Sequence, residues 1–166
     1  MPIQIKPIPL TDRVWVTQFL ENEAGDTHMV SRGILHHCDE LPGFIGVLGG
    51  EPVGLLTYRI DGRTCEVVTL HTAVQNQGVG SALLEQAIQE AQKQGCARIW
   101  LITTNDNKPA INFYRNRGWQ LTAVYKNALD KSRQLKPEIP RFGLNGVPIQ
   151  DELEFERKII RDEVGD

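Results

Sequence analysis

The sequence predicts an α/β chain of the α+β type. It has a mixed, mostly antiparallel sheet of about seven strands, flanked by about four helices. Two observations carry this reading. First, Phe44–Leu48, Val53–Ile60 and Thr64–Thr72 are apolar, β-branched runs joined only by Gly49-Gly50-Glu51-Pro52 and by Asp61-Gly62. Connections that short force consecutive strands to run antiparallel. Second, apolar residues recur at helical spacing after Gly78 (Val79, Ala82, Leu83, Ala87, Ile88, Ala91), and a further apolar run, Arg98–Thr104, follows. A helical crossover of that length returns the chain parallel to Thr64–Thr72, so the sheet changes from antiparallel to parallel there.

The remaining elements follow in order. Ile3 to Ile8 alternates apolar and polar residues and reads as a first strand. Thr11 or Asp12 is placed to cap a helix running to about Asn22, with Val14, Trp15, Gln18 and Phe19 near one face. Ala24 to Glu40 fits no single pattern. Its His36 and His37 would point to opposite sides of a strand, where they chelate poorly as a pair. Gly95 stops the long helix. Asn107 can cap the next one, with Pro109 tolerated in its first turn. Ile111, Tyr114 and Arg115 share a face of that helix, and Gly118 ends it. Gln120–Tyr125 is a sixth strand, and Asn127–Lys136 a short helix. Lys136–Gln150, with Pro137, Pro140, Pro148, Gly143, Asn145 and Gly146, is a long loop of the kind that often serves function. Asp151–Ile160 alternates. Leu153, Phe155, Arg157 and Ile159 lie on one side, and Glu152, Glu154, Glu156 and Lys158 on the other, as in a half-exposed final strand.

Composition narrows the function classes. With 166 residues, 40% hydrophobic and 23% charged, the chain suits one domain over 1–166 with a sizeable core. A net charge of −3 and the lack of a basic run speak against nucleic acid as a partner. No apolar run approaches the roughly 18 residues of a membrane span, and MPIQIKPIPL lacks a secretory core, so no membrane partner is expected. Cys38, Cys65 and Cys96 are odd in number and widely spaced. They read as reduced thiols of a cytoplasmic protein, not as a disulfide framework or a zinc site, and no metal is expected.

Thr64 to Gln94 is the stretch with chemistry in it: a strand, then Gln75-x-x-Gly78-x-Gly80, then a helix. The first amides of a helix lack partners within it and carry the positive end of its dipole, and glycine lets an anion approach them. A phosphate site and a merely tight turn both fit the glycines. Neither a P-loop (there is no Gly-Lys-Ser/Thr) nor the dinucleotide fingerprint fits, because Leu83 takes the third glycine position. Downstream stands Asn107-x-x-Ala110-x-x-Phe113-Tyr114-x-x-x-Gly118-Trp119. The two motifs together, in this order and spacing, resemble the GNAT superfamily of acyl-CoA-dependent N-acetyltransferases. The run LKPEIPRFGLNGVPIQDELEFE looks like that of an uncharacterised bacterial subgroup.

The resemblance implies a splayed parallel strand pair and acetyl-CoA as co-substrate. It further implies that Gln75, Gln77, Gly78, Val79, Gly80 and Ser81 cradle the pyrophosphate and that the backbone of Val68 and Leu70 holds the pantetheine arm. Asn107 would bond that arm. An amide, that of Leu70, would polarise the thioester carbonyl. Tyr114 matches the family's proton donor to the departing thiolate; a phenol, of pKa near about 10, suits that task. Its alternative is a core tyrosine. Glu66, which alternation places on the same face as Val68 and Leu70 and opposite His71, is the candidate base, or else a solvated carboxylate. The strand before Asn107, Ile99–Thr103, holds no acid, unlike many protein N-terminal acetylating members. The expected acceptor is therefore a small-molecule amine, and a homodimer is among the assemblies allowed. The expected function is N-acetyl transfer in a ternary complex, with a non-catalytic acyl-CoA sensor as its rival. The acidic final strand and Glu138 either steer a cationic amine or form a solvated face.

Overall fold

The computed structural model describes residues 2–11 and 13–159, with Leu144 described by its backbone alone. The expected cap Asp12 and strand residue Ile160 lie outside the described residues. The strands are β1 (Ile3–Pro7), β2 (His28–Ser31), β3 (Ile34–His37), β4 (Gly43–Leu48), β5 (Glu51–Asp61), β6 (Thr64–Thr72), β7 (Arg98–Thr104), β8 (Gln120–Tyr125) and β9 (Glu152–Lys158). The helices are α1 (Val14–Ala24), α2 (Val79–Lys93), α3 (Lys108–Arg115) and α4 (Ala128–Leu135). Seven strands form a mixed sheet in the order β1-β4-β5-β6-β7-β9-β8, with one parallel pair, and β2-β3 is a separate ribbon. The α/β expectation therefore holds, and α2 is the crossover between neighbouring strands β6 and β7.

The chain divides into two compact units. Among the described residues, one takes in 2–29, 37–99 and 159, and the other is Val30–His36 and Trp100–Lys158. In the first unit, β1, β4, β5 and β6 pair antiparallel in succession. Ile8, Val16, Phe19, Leu20, Cys38, Ile45, Val47, Leu55 and Val68 pack into one cluster. Two strand glycines bring α2 close. A Cβ on Gly46 or Gly54 would come within 2.7 or 2.8 Å of Val79 Cγ1, so bare backbone at both positions lets the start of α2 settle on β4 and β5. In the second unit, β8 and β9 pair antiparallel, and Leu101, Tyr114, Trp119, Leu129 and Phe155 are buried.

Three local expectations change. α1 starts after Arg13 without a side-chain cap, so Thr11 does not cap it. Its buried face is Val16, Phe19 and Leu20, whereas Val14 is 60% exposed and Gln18 is exposed. The apolar pattern there was short enough to fit two rotations of the helix. The ambiguous 24–40 stretch is the β2–β3 ribbon followed by a short 3-10 turn, Cys38–Glu40. As expected, His36 and His37 diverge: His36 is buried, its Nε2 2.8 Å from Ser31 Oγ, and His37 is exposed. Lastly, β9 is not half-exposed by simple alternation, because Glu152 and Phe155 are both fully buried. All three cysteines are buried free thiols, and burial, Cys96 and nearby carboxylates push the Cys65 thiol up to about 12. Among the described residues, no helix is long and apolar enough to cross a membrane, and no cluster of three His, Cys, Asp or Glu is placed to hold a metal.

Candidate active site

The first unit carries the β6–α2 connection. Glycine and asparagine shape it: Asn76 (φ 57°) and Gly78 (φ 81°) both take the left-handed conformation, which Gly adopts freely because it lacks the Cβ that clashes there, and which Asn adopts more readily than most other residues. Gly78 is the N-cap of α2, and no side chain caps that end. The first ladder bond runs from Ala82 N to Gly78 O (3.0 Å), so the amides of Val79 and Gly80 precede the ladder. An uncapped, glycine-lined helix start is a fitting cradle for a diphosphate.

Upstream, β6 is not a regular strand. Thr57 pairs with Thr69 and Tyr58 with Val67, so Val68 is an extra residue opposite β5. A bulge of this kind leaves the backbone of Val68 out of the ladder and reverses the facing of everything before it. Cys65 interacts with Cys96 and with Glu90 of α2, and Val67 is paired with Tyr58, which also senses Glu90. Glu66 therefore points to the opposite face. On that face lie Val68, packed with α1 residues, and His71, which senses Glu23 of α1. This corrects the facing: Glu66 shares a side with His71 and Val68, not with Leu70. A one-residue bulge has no signature in a run of β-branched residues, so alternation alone misassigned it.

Glu66 is 3% exposed, which removes the solvated reading. Arg59, its partner across the β5–β6 ladder, reaches it at 3.9 Å and also reaches Asp61 at 3.6 Å. Counting back from the Asp61-Gly62 turn would have found this pair, because Asp61 faces Thr64, Ile60 faces Cys65 and Arg59 faces Glu66. Beside it, the buried hydroxyls of Thr57 and Thr69 are 2.6 Å apart. Burial holds the His71 pKa below its ordinary value, with Glu23 opposing, so the imidazole is neutral at pH about 7.

The second unit carries Asn107 and Tyr114. Asn107 caps α3 as its sequence suggests, its side chain accepting from Ala110 N at 3.3 Å. Tyr114 is the buried residue of α3. Its ring packs near Phe113, Trp119 and Phe155, with centroids 5.4, 5.7 and 6.2 Å away. Burial raises its pKa well above the ordinary phenol value, so it stays protonated. Tyr114 is thus a core residue whose hydroxyl keeps its proton. The loop over 136–150 is tied down: Asn105 donates to Pro148 O (2.9 Å) and accepts from Gln150 N and Asp151 N, while Arg133 donates to Pro140 O and Ile149 O. Gly143 sits so close to buried Asp106 that a Cβ would lie 1.8 Å from Oδ2.

A sequence model of the acetyltransferase (GNAT) family matches residues 11–119, and the chain belongs to this family. It is similar to the uncharacterised protein YdhI of Bacillus subtilis (strain 168), with 46% identity over 145 residues, 87% of this chain and 91% of that protein. Among solved structures it resembles an IAA acetyltransferase from Bacillus cereus ATCC 14579 (TM-score 0.75, 18% identity, 95% of this chain and 99% of that one). It also resembles a Bacillus subtilis acetyltransferase solved in complex with CoA (TM-score 0.72, 19% identity, 96% of this chain and 100% of that one). At these identities the structural likeness is one of fold.

Proposed function

We propose that the protein is a cytoplasmic N-acetyltransferase that transfers the acetyl group of acetyl-CoA to an amine of a small molecule, by direct attack in a ternary complex. The observation that carries this reading is the β6–α2 connection, in which a strand bulged at Val68 runs into an uncapped glycine turn. The neighbouring structure with bound CoA supports it. Buried free thiols agree with a reducing compartment. The family match spans parts of both compact units, which supports reading them as one catalytic domain.

Bound acetyl-CoA would supply an activated thioester. The amides of Gln75, Gln77, Gly78, Val79, Gly80 and Ser81 take the pyrophosphate. The backbone of Val68 and Leu70 pairs with the pantetheine amides as an added strand would, and Asn107 bonds the same arm. The Leu70 N–H stabilises negative charge as the carbonyl carbon is attacked. The new C–N bond forms as the C–S bond breaks. The proton lost by the amine goes to Glu66, directly or through water, and Tyr114 gives a proton to the leaving thiolate. The products are an amide and CoA. The test is calorimetric titration with acetyl-CoA and with CoA, followed by thiol release across a panel of amines. Binding with amine-dependent release is the expected result. Binding without release across the panel favours an acyl-CoA sensor, and absence of binding removes the cofactor reading.

A further inference from the structure

The second unit has an open cavity of about 380 Å³, lined by none of the residues assigned above. Arg32, Gly33, Tyr125, Lys126, Lys131 and Glu152 line it. Arg32 forms the β2–β3 turn with φ 48°, a conformation that costs a non-glycine residue on the order of 1 kcal/mol or more. Glu152, 2% exposed, holds it there. Its two carboxylate oxygens accept the Arg32 backbone N–H at 3.2 Å each, and Oε1 also accepts from Arg32 Nη1 at 3.1 Å. The guanidinium lies 3.3 Å over the Tyr125 ring, and the Tyr125 hydroxyl donates to Glu154 Oε1 at 2.9 Å. Both the charge and the donor fork of Arg32 are therefore occupied.

Two cations remain. Lys131 runs along the turn: its Nζ is 3.4 Å from where a Cβ on Gly33 would sit. Lys126 is exposed at the end of β8. Neither makes an ion pair with another described residue. With Glu152 cancelled by Arg32, the lining carries two unmatched positive charges in a chain whose net charge is −3. Ammonium groups act as point charges suited to phosphate, whereas planar carboxylates favour an arginine fork, and the one here is engaged. A phosphomonoester carries close to −2 at neutral pH and matches the surplus. The volume falls within the range of about 300–1,000 Å³ typical of small-molecule sites.

We propose that this cavity binds a dianionic phosphate group, either free or carried by a small molecule. The cavity shares no lining residue with those assigned to acetyl-CoA, and the proposal does not rest on the acetyltransferase reading. It is tested by calorimetry at low ionic strength with inorganic phosphate, glucose 6-phosphate and succinate as probes. The variant is Lys126→Ala/Lys131→Ala, because both side chains are exposed, whereas changing Arg32 would strand buried Glu152. Saturable binding of a phosphate probe is expected, at least about tenfold weaker in the double variant, with acetyl-CoA affinity unchanged. Tighter glucose 6-phosphate points to an esterified ligand, and tighter inorganic phosphate to the free ion. The proposal fails if neither phosphate probe binds up to about 10 mM, if succinate binds as tightly as phosphate, or if the double variant binds like the parent. It also fails if the double variant loses acetyl-CoA affinity, which would make the cavity part of the cofactor site.

Discussion

The two places proposed here to receive an anion are built from opposite materials. The turn before α2 uses backbone: Asn76 and Gly78 take the left-handed conformation, and no side chain caps the helix. The Arg32 corner uses side chains: a buried glutamate 120 positions away in sequence fixes a strained arginine, and two lysines supply the charge. A backbone site should be sensitive to bulk and indifferent to side-chain polarity. A side-chain site should be sensitive to charge. That contrast is what substitutions can break.

The largest effect is expected from Gly80→Trp. An indole at the start of α2 blocks approach to the amides, and acetyl-CoA affinity should fall about a thousandfold, ~4 kcal/mol. Ser81→Ala at the neighbouring position should change it by no more than about threefold. A large loss in Ser81→Ala would mean that the hydroxyl, not the backbone, holds the phosphates. Next comes Tyr114→Phe, which removes a single proton donor from a buried ring that otherwise still packs. We expect kcat to fall about a hundredfold, ~2.7 kcal/mol, with acetyl-CoA affinity unchanged. Steady-state rates equal to those of the parent would leave Tyr114 a core residue only.

On the side-chain side of the comparison, Glu152→Gln removes the charge that three bonds to Arg32 depend on. It should cost about 2 kcal/mol in urea denaturation, since bonds to charged groups are worth roughly 1.5–3 kcal/mol. A loss below about 0.5 kcal/mol would show that Arg32 is held by Tyr125 rather than by the carboxylate.

The same contrast explains what could be read from the chain. β6, β7 and β8 were legible to the residue, because each is a run of β-branched and apolar residues bounded by turn chemistry. The α2 turn was legible because glycine announces a backbone demand. Asn107 was legible as a cap for a similar local reason. The facing of Glu66 was not, because it depends on a bulge at Val68 that no residue type marks. The Arg32–Glu152 pair was not legible either. It joins a ribbon within a stretch of mixed character to a strand whose glutamates all looked solvent-facing, and nothing local separates buried Glu152 from Glu154 and Glu156.

The smallest expected effect concerns His71, which the bulge places on the Glu66 face. Burial keeps its folded-state pKa below the ordinary 6.5, with Glu23 opposing in part. Below 6.5 the unfolded chain therefore binds a proton that the folded chain does not. Stability is full above that pH and is lost as pH falls through the window between 6.5 and the lowered folded value. His71→Asn removes this dependence, so between about pH 7 and pH 5 the parent should lose stability more steeply than the variant in urea denaturation. Equal slopes would mean that His71 charges as readily in the folded chain as in the unfolded one, and that the face it shares with Glu66 is wetter than its burial implies. Acetyl-CoA affinity should not follow the same curve, because the amides before α2 do not titrate, and a parallel loss of affinity would tie the backbone-built turn to the protonation of this buried face.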